Sequence, residues 1–433
     1  MATTTTAMLR GRVPSPGSAR RAHFREWRLE SLWVWPAVAT IAAWVGGALA
    51  VRHLGSFTFH QGVFPTDLND ARTLLGTIAA ALLTFTGVVF SITLVALQMA
   101  STQYSPRVLR TFMRTPITKL ALSTFIATFV YAVTLLASVG TSRVHTVPQG
   151  AVGLAFLLVI ASVLVFVVFV HSTVRSMRVS YVIRSVFDEA MQSFDRTHVE
   201  ASAYREAPAP SFQPDPPQIA FDHRDAVLDG IDAHTLVELA RGSGCVLRAC
   251  VPVGTYVTRG SELFEVHGGA PPGSASVMAT VDCSAVRTLY QDPSYGVRQL
   301  VDIACRALSS AINDPTTALQ VLDRLHAILR AVAGRPDPTG VYLDTAGEVR
   351  LVVPVAGWNS LVDLAFTEIA LFGSGSPQIS RKLVSVYDDL AALVPAERQA
   401  AIERQRTWLV AEVSQRHRLP VELVLTPDPR GLG

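Results

Sequence analysis

The sequence is short of cysteine and of the motifs that mark known catalytic centres. Its 433 residues include four cysteines, all after position 240, and no cysteine and histidine pair at the spacing of a zinc site. We expect these thiols to be reduced and buried, so the sequence predicts neither a disulfide framework nor a metal site. No HExxH segment, nucleophile elbow, Walker motif or kinase signature is present. The sequence therefore predicts no catalytic residues, no cofactor and no enzymatic activity.

Charge is also scarce, at 16% of the chain, and four long stretches contain no charged residue. These stretches are residues 31–51, 73–106, 120–142 and 146–170. A helix needs about 20 apolar residues to cross a bilayer core, and each stretch is long enough. The sequence therefore predicts a transmembrane domain over residues 31–171, with helices at about 32–51, 74–98, 118–140 and 149–171.

The charges that remain divide the chain into two parts of opposite sign. Residues 1–171 contain 13 Lys and Arg against four Asp and Glu, a net charge of +9, whereas residues 172–433 contain 24 against 30, a net charge of −6. An acidic domain would repel phosphates, so nucleic acid is excluded as a partner. Arginine is concentrated in the basic leader (residues 1–30), in the loop after the second helix and after the fourth helix. The positive-inside rule then predicts cytoplasmic N- and C-termini.

The second predicted helix carries the polar residues of most interest. Thr77, Thr84, Ser91 and Gln98 are seven residues apart, so they lie along one helical face. The third helix adds further hydroxyl groups, among them that of Thr128. Such residues join membrane helices to one another, and they can also line a water-filled path in an oligomer. Both explanations stay open, while the charge-free spans lack the ionisable residue that marks a proton relay.

The second part of the chain predicts a helical stalk with a Pro-rich linker (residues 172–217) and then a cytoplasmic α+β domain (residues 218–433). The domain begins with short strands and glycine turns that resemble a biotinyl or lipoyl hairpin, but no lysine occupies a carrier position. Amphipathic helix pairs follow at 294–332 and 358–394, which are either an internal repeat or two unrelated pairs. Between them, a β-hairpin is predicted to turn near residues 345–347.

Two polar runs at predicted helix starts are candidates for an anion or ligand site. Their residues are Asn313, Asp314, Thr316, Thr317, Arg381 and Lys382. Backbone N–H groups at a helix N-terminus attract anions, which is the functional interpretation. Helix capping is the structural interpretation, because Asp followed by Pro is a strong helix start. Asp302 and Asp363 occupy matching positions in the two helix pairs, but one acid on each helix is no catalytic pair.

Three segments resemble a known family. They read TFTGVVFSITLVALQMASTQYSPRVLRTFMRT, RTLYQDPSYGVRQLVDIACRALSSAINDPTTALQVLD and GSGSPQISRKL. In these segments the chain resembles the bacterial predicted-membrane-protein family defined by domain of unknown function 2254, with mild departures at Tyr295 and Ser310. The resemblance covers most of the chain and implies a four-helix inner-membrane domain with a cytoplasmic tail. It implies no activity, substrate or catalytic residue.

Together these features predict a multi-pass protein of the bacterial inner membrane that contacts the lipid bilayer and forms a homo-oligomer. The working hypothesis is a channel or transporter-like protein, in which the second and third helices line a path that the acidic domain gates or assembles. The alternative is a membrane-anchored sensor or scaffold whose cytoplasmic domain binds a ligand or a partner protein.

Overall fold

The structure, a computed structural model, describes residues 34–53, 67–103, 116–139, 147–202, 212, 214–416 and 420–425. These residues form two compact units that divide between Val182 and Ile183. The predicted leader (residues 1–30) lies outside the described residues, as does most of the Pro-rich linker before residue 214.

The described residues of the first unit form four apolar helices. They are α1 (Val34–His53), α2 (Leu68–Gln103), α3 (Pro116–Val139) and α4 (Gln149–Ser176). Each is long and apolar enough to cross a membrane. The four predicted spans are therefore present as helices, with α2 longer at both ends than the predicted 74–98. At 1.5 Å per residue its 36 residues extend for about 54 Å, more than the bilayer core of about 30 Å.

Helix α3 lies at the centre of the first unit and packs against α1, α2 and α4. Its Phe125 meets Phe85 of α2 and Phe166 of α4, with ring centroids 6.2 and 6.4 Å away. Phe85 and Phe166 also form an edge-to-face pair at 5.1 Å. At one end of the unit the Arg72 guanidinium of α2 donates to the Val139 carbonyl oxygen that ends α3, at 3.0 Å. These contacts order the bundle around α3.

The second unit begins with α5 and then forms two sheets. The elements are α5 (Val179–Ser202), β1 (Gln218–Ala220), β2 (Ala226–Ile231), α6 (Ala233–Gly242), β3 (Cys245–Ala249), β4 (Tyr256–Val257), β5 (Glu262–Gly268), α7 (Ser274–Met278), β6 (Val281–Ser284), β7 (Val341–Leu343) and β8 (Val349–Val352). One sheet has the strand order β1-β5-β3-β8-β7 and the other has the order β4-β2-β6. All pairings are antiparallel except that of β3 with β8. Buried residues such as Leu247, Phe264 and Leu351 form the core beside these sheets.

The β7–β8 hairpin confirms the prediction of a turn near residues 345–347. The Asp344 carboxylate accepts hydrogen bonds from the backbone N–H groups of Ala346 and Glu348, at 2.9 and 3.0 Å. Gly347 has φ +87°, a conformation that glycine adopts without strain. Through β8, which pairs with β3, the hairpin extends the large sheet, a pairing that the sequence did not predict.

The rest of the second unit is a stack of helices. They are α8 (Ser294–Ala307), α9 (Pro315–Ala333), α10 (Trp358–Gly373), α11 (Pro377–Leu393), α12 (Ala396–Arg416) and α13 (Val421–Leu425). Helices α9 and α11 run parallel, because Asp323 faces Lys382 and, further along both helices, His326 faces Asp389. Helix α12 runs parallel to α10 in the same way, with Arg398 near Trp358 and Arg404 at Asp363. The pair α8–α9 therefore stacks in register on the pair α10–α11, and α12 adds a further layer.

The predicted stalk differs from a plain extension of the fourth membrane helix. Residues Met177 and Arg178 interrupt the helix between α4 and α5. From Ile183 onward α5 buries Val186 and Ala190, and its Ser193 hydroxyl donates to the Leu289 carbonyl oxygen at 2.6 Å. This part of the segment is a packed element of the second unit, because its apolar face lies on the start of α8.

Candidate functional site

The polar face of α2 is exposed. Thr77, Thr84, Ser91 and Gln98 all lie on the outside of the first unit, and no described helix covers them. The hydroxyl groups of Thr77 and Thr84 donate to the carbonyl oxygens of Thr73 and Ala80, one turn back in the same helix, at 2.8 and 3.0 Å. That local bond satisfies the hydroxyl proton and leaves the oxygen lone pairs facing outward. The four side chains therefore present acceptors along one uncovered line.

The opposite face of α2 is apolar and packed. Leu75, Leu82 and Val89 are seven residues apart, and each is at most 2% exposed. They belong to the apolar core that α2 shares with α3. The polar face therefore points away from the bundle, in the same sense as the polar face of a soluble amphipathic helix.

Small residues accompany the polar face. Ala80, Ala81 and Gly87 are exposed beside Thr84, and a Cβ atom added to Gly87 would meet nothing within 4 Å. A helix surface of small and hydroxyl-bearing residues allows another backbone to approach closely.

Thr128, grouped with these residues from its sequence, occupies a different place. It is fully buried between α3 and α4, where its hydroxyl lies 3.2 Å from the Ser162 hydroxyl. The same hydroxyl donates to the Thr124 carbonyl oxygen at 2.8 Å. Tyr131, one turn further along α3, donates to the Ala151 carbonyl oxygen of α4 at 3.1 Å. Thr128 thus joins helices within one copy of the chain, away from the exposed face of α2.

Sequence reasoning missed the burial of Lys119. The residue lies within the predicted helix at about 118–140 and in the first turn of α3, and it is only 6% exposed. Thr118 beside it is 8% exposed. Lysine is almost never fully buried unless it is paired, so this end of the bundle is more polar than hydropathy alone indicates. The sequence gives no signal for it, because burial here depends on which helices surround α3.

The first candidate anion run serves as a helix cap. The Asp314 carboxylate accepts from the Thr317 backbone N–H at 3.1 Å and from the Thr317 hydroxyl at 2.6 Å. Pro315 occupies the first turn of α9, as the Asp-Pro pair predicts. Asn313 adopts φ +49° in the turn before the cap, and both Asn313 and Thr316 are exposed. The Asp314 carboxylate and the Thr317 hydroxyl are therefore engaged with each other.

The second candidate run is divided between two roles. Lys382 forms an ion pair with Asp323 of α9, with Nζ 2.5 Å from Oδ1. Arg381 turns back along α11, and its Nε donates to the Pro377 carbonyl oxygen at 3.2 Å. Ser376, the residue before α11, makes no side-chain capping bond. Because α9 and α11 are parallel, both candidate runs lie at the same end of the helix stack.

The matched acids Asp302 and Asp363 both belong to hydrogen-bond networks that join helices. Asp302 accepts from the Arg298 guanidinium, at 2.8 Å, and that guanidinium also holds Glu368 of α10. Asp363 accepts from Arg404 and Gln405 of α12, at 3.0 and 2.8 Å. Asp363 thus bonds α10 directly to α12, whereas Asp302 bonds Arg298 of its own helix and reaches α10 only through that guanidinium.

The four cysteines are free and lie in the second unit. Burial raises the pKa of the Cys283 thiol to about 11 and that of the Cys305 thiol to about 12. Burial also raises the pKa of the Cys245 and Cys250 thiols. The reactive species is the thiolate, so these thiols are poor nucleophiles at neutral pH. Among the described residues no group of three or more His, Cys, Asp or Glu side chains could hold a metal ion.

Comparison with known proteins places this architecture in a family. Residues 29–389 match the family described as predicted membrane protein (DUF2254). An uncharacterised protein of Mycobacterium bovis and another of Mycobacterium tuberculosis (strain H37Rv) are each 32% identical over 413 residues. These alignments cover 92% of this chain and 78% of each relative. No solved structure matches the chain.

Proposed function

Because the chain belongs to the DUF2254 family of predicted membrane proteins, we propose that it is a multi-pass inner-membrane protein whose copies assemble around the polar face of α2. That face lines a permeation path for a small solute, with Thr77, Thr84, Ser91 and Gln98 facing the solute. Both termini are cytoplasmic in this proposal, because arginine is concentrated in the loops that this orientation places inside.

The uncovered polar face of α2 is the observation that carries the proposal. The hydroxyl groups of Thr128 and Ser162, by contrast, are buried between α3 and α4 and pack those helices together. The line from Thr77 to Gln98 is instead exposed over 21 residues, about 32 Å at the helical rise, which matches a bilayer core of about 30 Å. A polar line of that length on the outside of a membrane helix is best satisfied by water or by another copy of the chain.

A thiol-accessibility experiment tests whether water reaches this face. Single cysteines are introduced by Thr84→Cys and Ser91→Cys. Leu83→Cys and Phe90→Cys are the controls, because these side chains are also exposed but lie on the adjacent, apolar side of the same turns. The background chain carries alanine at its four native cysteines and is reconstituted in liposomes. Only a thiolate reacts and a thiol in lipid stays protonated, so we expect a membrane-impermeant methanethiosulfonate to modify positions 84 and 91 at least about tenfold faster than 83 and 90.

Flux through the same liposomes measures the function itself. We expect Thr84→Leu and Ser91→Leu to reduce KCl and glycerol permeability to that of empty liposomes, because leucine removes the acceptors and narrows the path. Leu83→Ala, on the lipid side, should leave the permeability unchanged. Equal reactivity at all four cysteine positions, together with no flux from the unaltered chain, would refute the path and favour the sensor or scaffold alternative.

A further inference from the structure

The polar face of α2 continues past Thr77 to a carboxylate. Asp70 lies seven residues before Thr77, in the first turn of α2, and it is exposed. At the helical rise of 1.5 Å per residue, the step from Asp70 to Thr77 is about 10.5 Å, the same as each later step along the face. The line of exposed polar side chains therefore starts at a charged residue, although the rest of the line is neutral.

The described positive charges at this end of the first unit point elsewhere. Arg72 lies on the opposite side of α2 from Asp70, and its guanidinium donates to the Val139 carbonyl oxygen at 3.0 Å. Arg52 ends α1, a helix that packs mainly on α3. The N-terminus of α2 contributes about half a positive charge, which is less than the full negative charge of Asp70. Asp67, just before the helix, adds a second exposed carboxylate, so the start of the polar face is negative.

The threonine hydroxyl groups that follow Asp70 offer acceptors rather than donors. Thr73, Thr77 and Thr84 each donate the hydroxyl proton to a carbonyl oxygen four residues back, at 2.9, 2.8 and 3.0 Å. The lone pairs of these oxygens then face outward, which suits a cation and not an anion. From Thr73 to Gln103 the helix carries no charged residue, so it offers an anion no counter-charge along this face.

We propose that the permeating solute is a monovalent inorganic cation and that Asp70 is its entrance site. This inference rests on the permeation path proposed above. Each copy of a homo-oligomer contributes one Asp70, so the carboxylates form a ring where the path begins. Rings of Asp or Glu concentrate cations at a pore mouth. The neutral oxygens further along the face then replace part of the hydration shell without holding the ion so tightly that it stays.

Asp70 also complements the positive end of the α2 dipole, and that structural role predicts a different result. It requires only a carboxylate in the first turn, on any side of the helix, whereas the entrance role requires the carboxylate on the polar face. Asn69 is exposed and lies about 100° around the helix from Asp70. The double variant Asp70→Asn/Asn69→Asp therefore keeps the net charge and the acid of the first turn but moves the carboxylate off the face.

Ion selectivity in proteoliposomes tests the proposal on the full chain. The permeabilities of K⁺ and Cl⁻ are separated by replacing K⁺ with N-methylglucamine or Cl⁻ with gluconate. We expect K⁺ to permeate at least about fivefold faster than Cl⁻, because carboxylates at the entrance raise the local cation concentration. Asp70→Asn should lower that ratio at least about threefold, and Asp70→Glu should keep it. The double variant should match Asp70→Asn. Any glycerol permeability should be the same in all of these proteins, because glycerol has no charge.

The results separate this inference from the path on which it rests. No flux of KCl or glycerol from the unaltered chain would remove the path and the inference with it. Flux with a ratio of K⁺ to Cl⁻ permeability at or below unity would leave the path in place and overturn the inference, since the arginines that follow α2 in the sequence would then set the charge preference. A preference for K⁺ that survives in Asp70→Asn, or that the double variant restores, would overturn the role of Asp70.

Discussion

Asp389 binds two residues of a neighbouring helix at once. Its Oδ2 lies 2.7 Å from His326 Nε2, and its Oδ1 accepts from the Arg330 guanidinium at 2.5 Å, so the carboxylate ties α11 to α9. The Arg330 bond and then the His326 bond hold the pKa of Asp389 below its ordinary value. Two other carboxyl groups of the second unit behave alike. The pKa of Glu265 is lowered chiefly by His267, and that of Asp344 chiefly by Arg350.

These lowered pKa values predict a loss of stability in acid. A carboxyl group whose pKa is lower in the folded state stabilises the fold at pH values above its unfolded pKa, which is about 4. That stabilisation is lost as the pH falls through the folded pKa. The melting temperature of the second unit can be followed by near-UV circular dichroism. We expect these three carboxyl groups to contribute no pH dependence to it between pH 7 and 5. It should then decrease progressively below pH 4.

Substitution of Asp389 tests the assignment. Asp389→Asn should lower the melting temperature at pH 7, and its difference from the unaltered protein should shrink as the pH falls below 4. Arg330→Gln keeps the carboxylate but removes the first cause of its low pKa, so it should weaken the acid dependence as well. A difference for Asp389→Asn that is as large at pH 3 as at pH 7 would contradict the linkage.

At the scale of elements, the contact of α5 with α8 depends on one glycine. A Cβ atom on Gly296 would lie 2.4 Å from the Ala190 Cβ and 3.0 Å from Leu289 Cδ2, distances that packed side chains do not adopt. Gly296 ends the PSYG run in the second of the three segments that resemble the family. The sequence predicted no structural role for this glycine. The glycine is needed because α5, which follows the last apolar helix directly, must approach the α8 backbone closely.

The variant Gly296→Ala should separate α5 from α8. Overpacking a tight site costs about 1–3 kcal/mol, so we expect a lower melting temperature and faster proteolysis within α5. Gly242→Ala is the control, since Gly242 ends α6 and has nothing within 4 Å of its missing Cβ. That change should be neutral or stabilising by up to about 1 kcal/mol, the difference in helix propensity.

The tight contact can also be relieved from the other side. Ala190→Gly removes the atom that a Cβ on Gly296 would meet, so it should restore most of the stability lost in Gly296→Ala. If the double variant is as unstable as the sum of the two single variants, the contact between α5 and α8 is not the cause.

At the scale of the whole molecule, the opposite net charges of the two parts have different structural meanings. Some acids of the second part pair with basic residues of a neighbouring helix, as in the pairs of Asp323 with Lys382, Asp388 with Arg406 and Asp363 with Arg404. These bonds connect successive layers of the stack. Each such pair is neutral, so the net charge of −6 comes from acids outside these pairs.

Assembly through α2 predicts cross-links between copies. Ser91→Cys should form a disulfide-linked dimer in native membranes treated with copper phenanthroline, because position 91 lies on the uncovered polar face. Phe90→Cys on the adjacent side, and Thr128→Cys buried between α3 and α4, should stay monomeric. Cross-linking at 91 without reaction toward the impermeant reagent would mean that the face packs two copies together and admits no water. No cross-link at 84 or 91 would contradict assembly through this face.

Local sequence patterns were sufficient to predict most of the helices. Four charge-free stretches specify the four apolar helices, because in a bilayer only length and hydropathy decide whether a segment spans. Asp314 followed by Pro315 specifies the start of α9, since the cap and the fixed proline φ act within one turn. The spacing by sevens places Thr77, Thr84, Ser91 and Gln98 on one face, because helical periodicity is a local property.

The tertiary structure decided which of these residues are used for packing and which stay uncovered. Thr128 and Thr84 are both hydroxyl-bearing helix residues, yet one is buried against Ser162 and the other is exposed, because α3 is surrounded by three helices and α2 is not. Likewise, only the fold brings β8 beside β3 and α5 onto Gly296. Partners far apart in sequence are selected by the packing of the whole unit, so no short-range pattern can specify them.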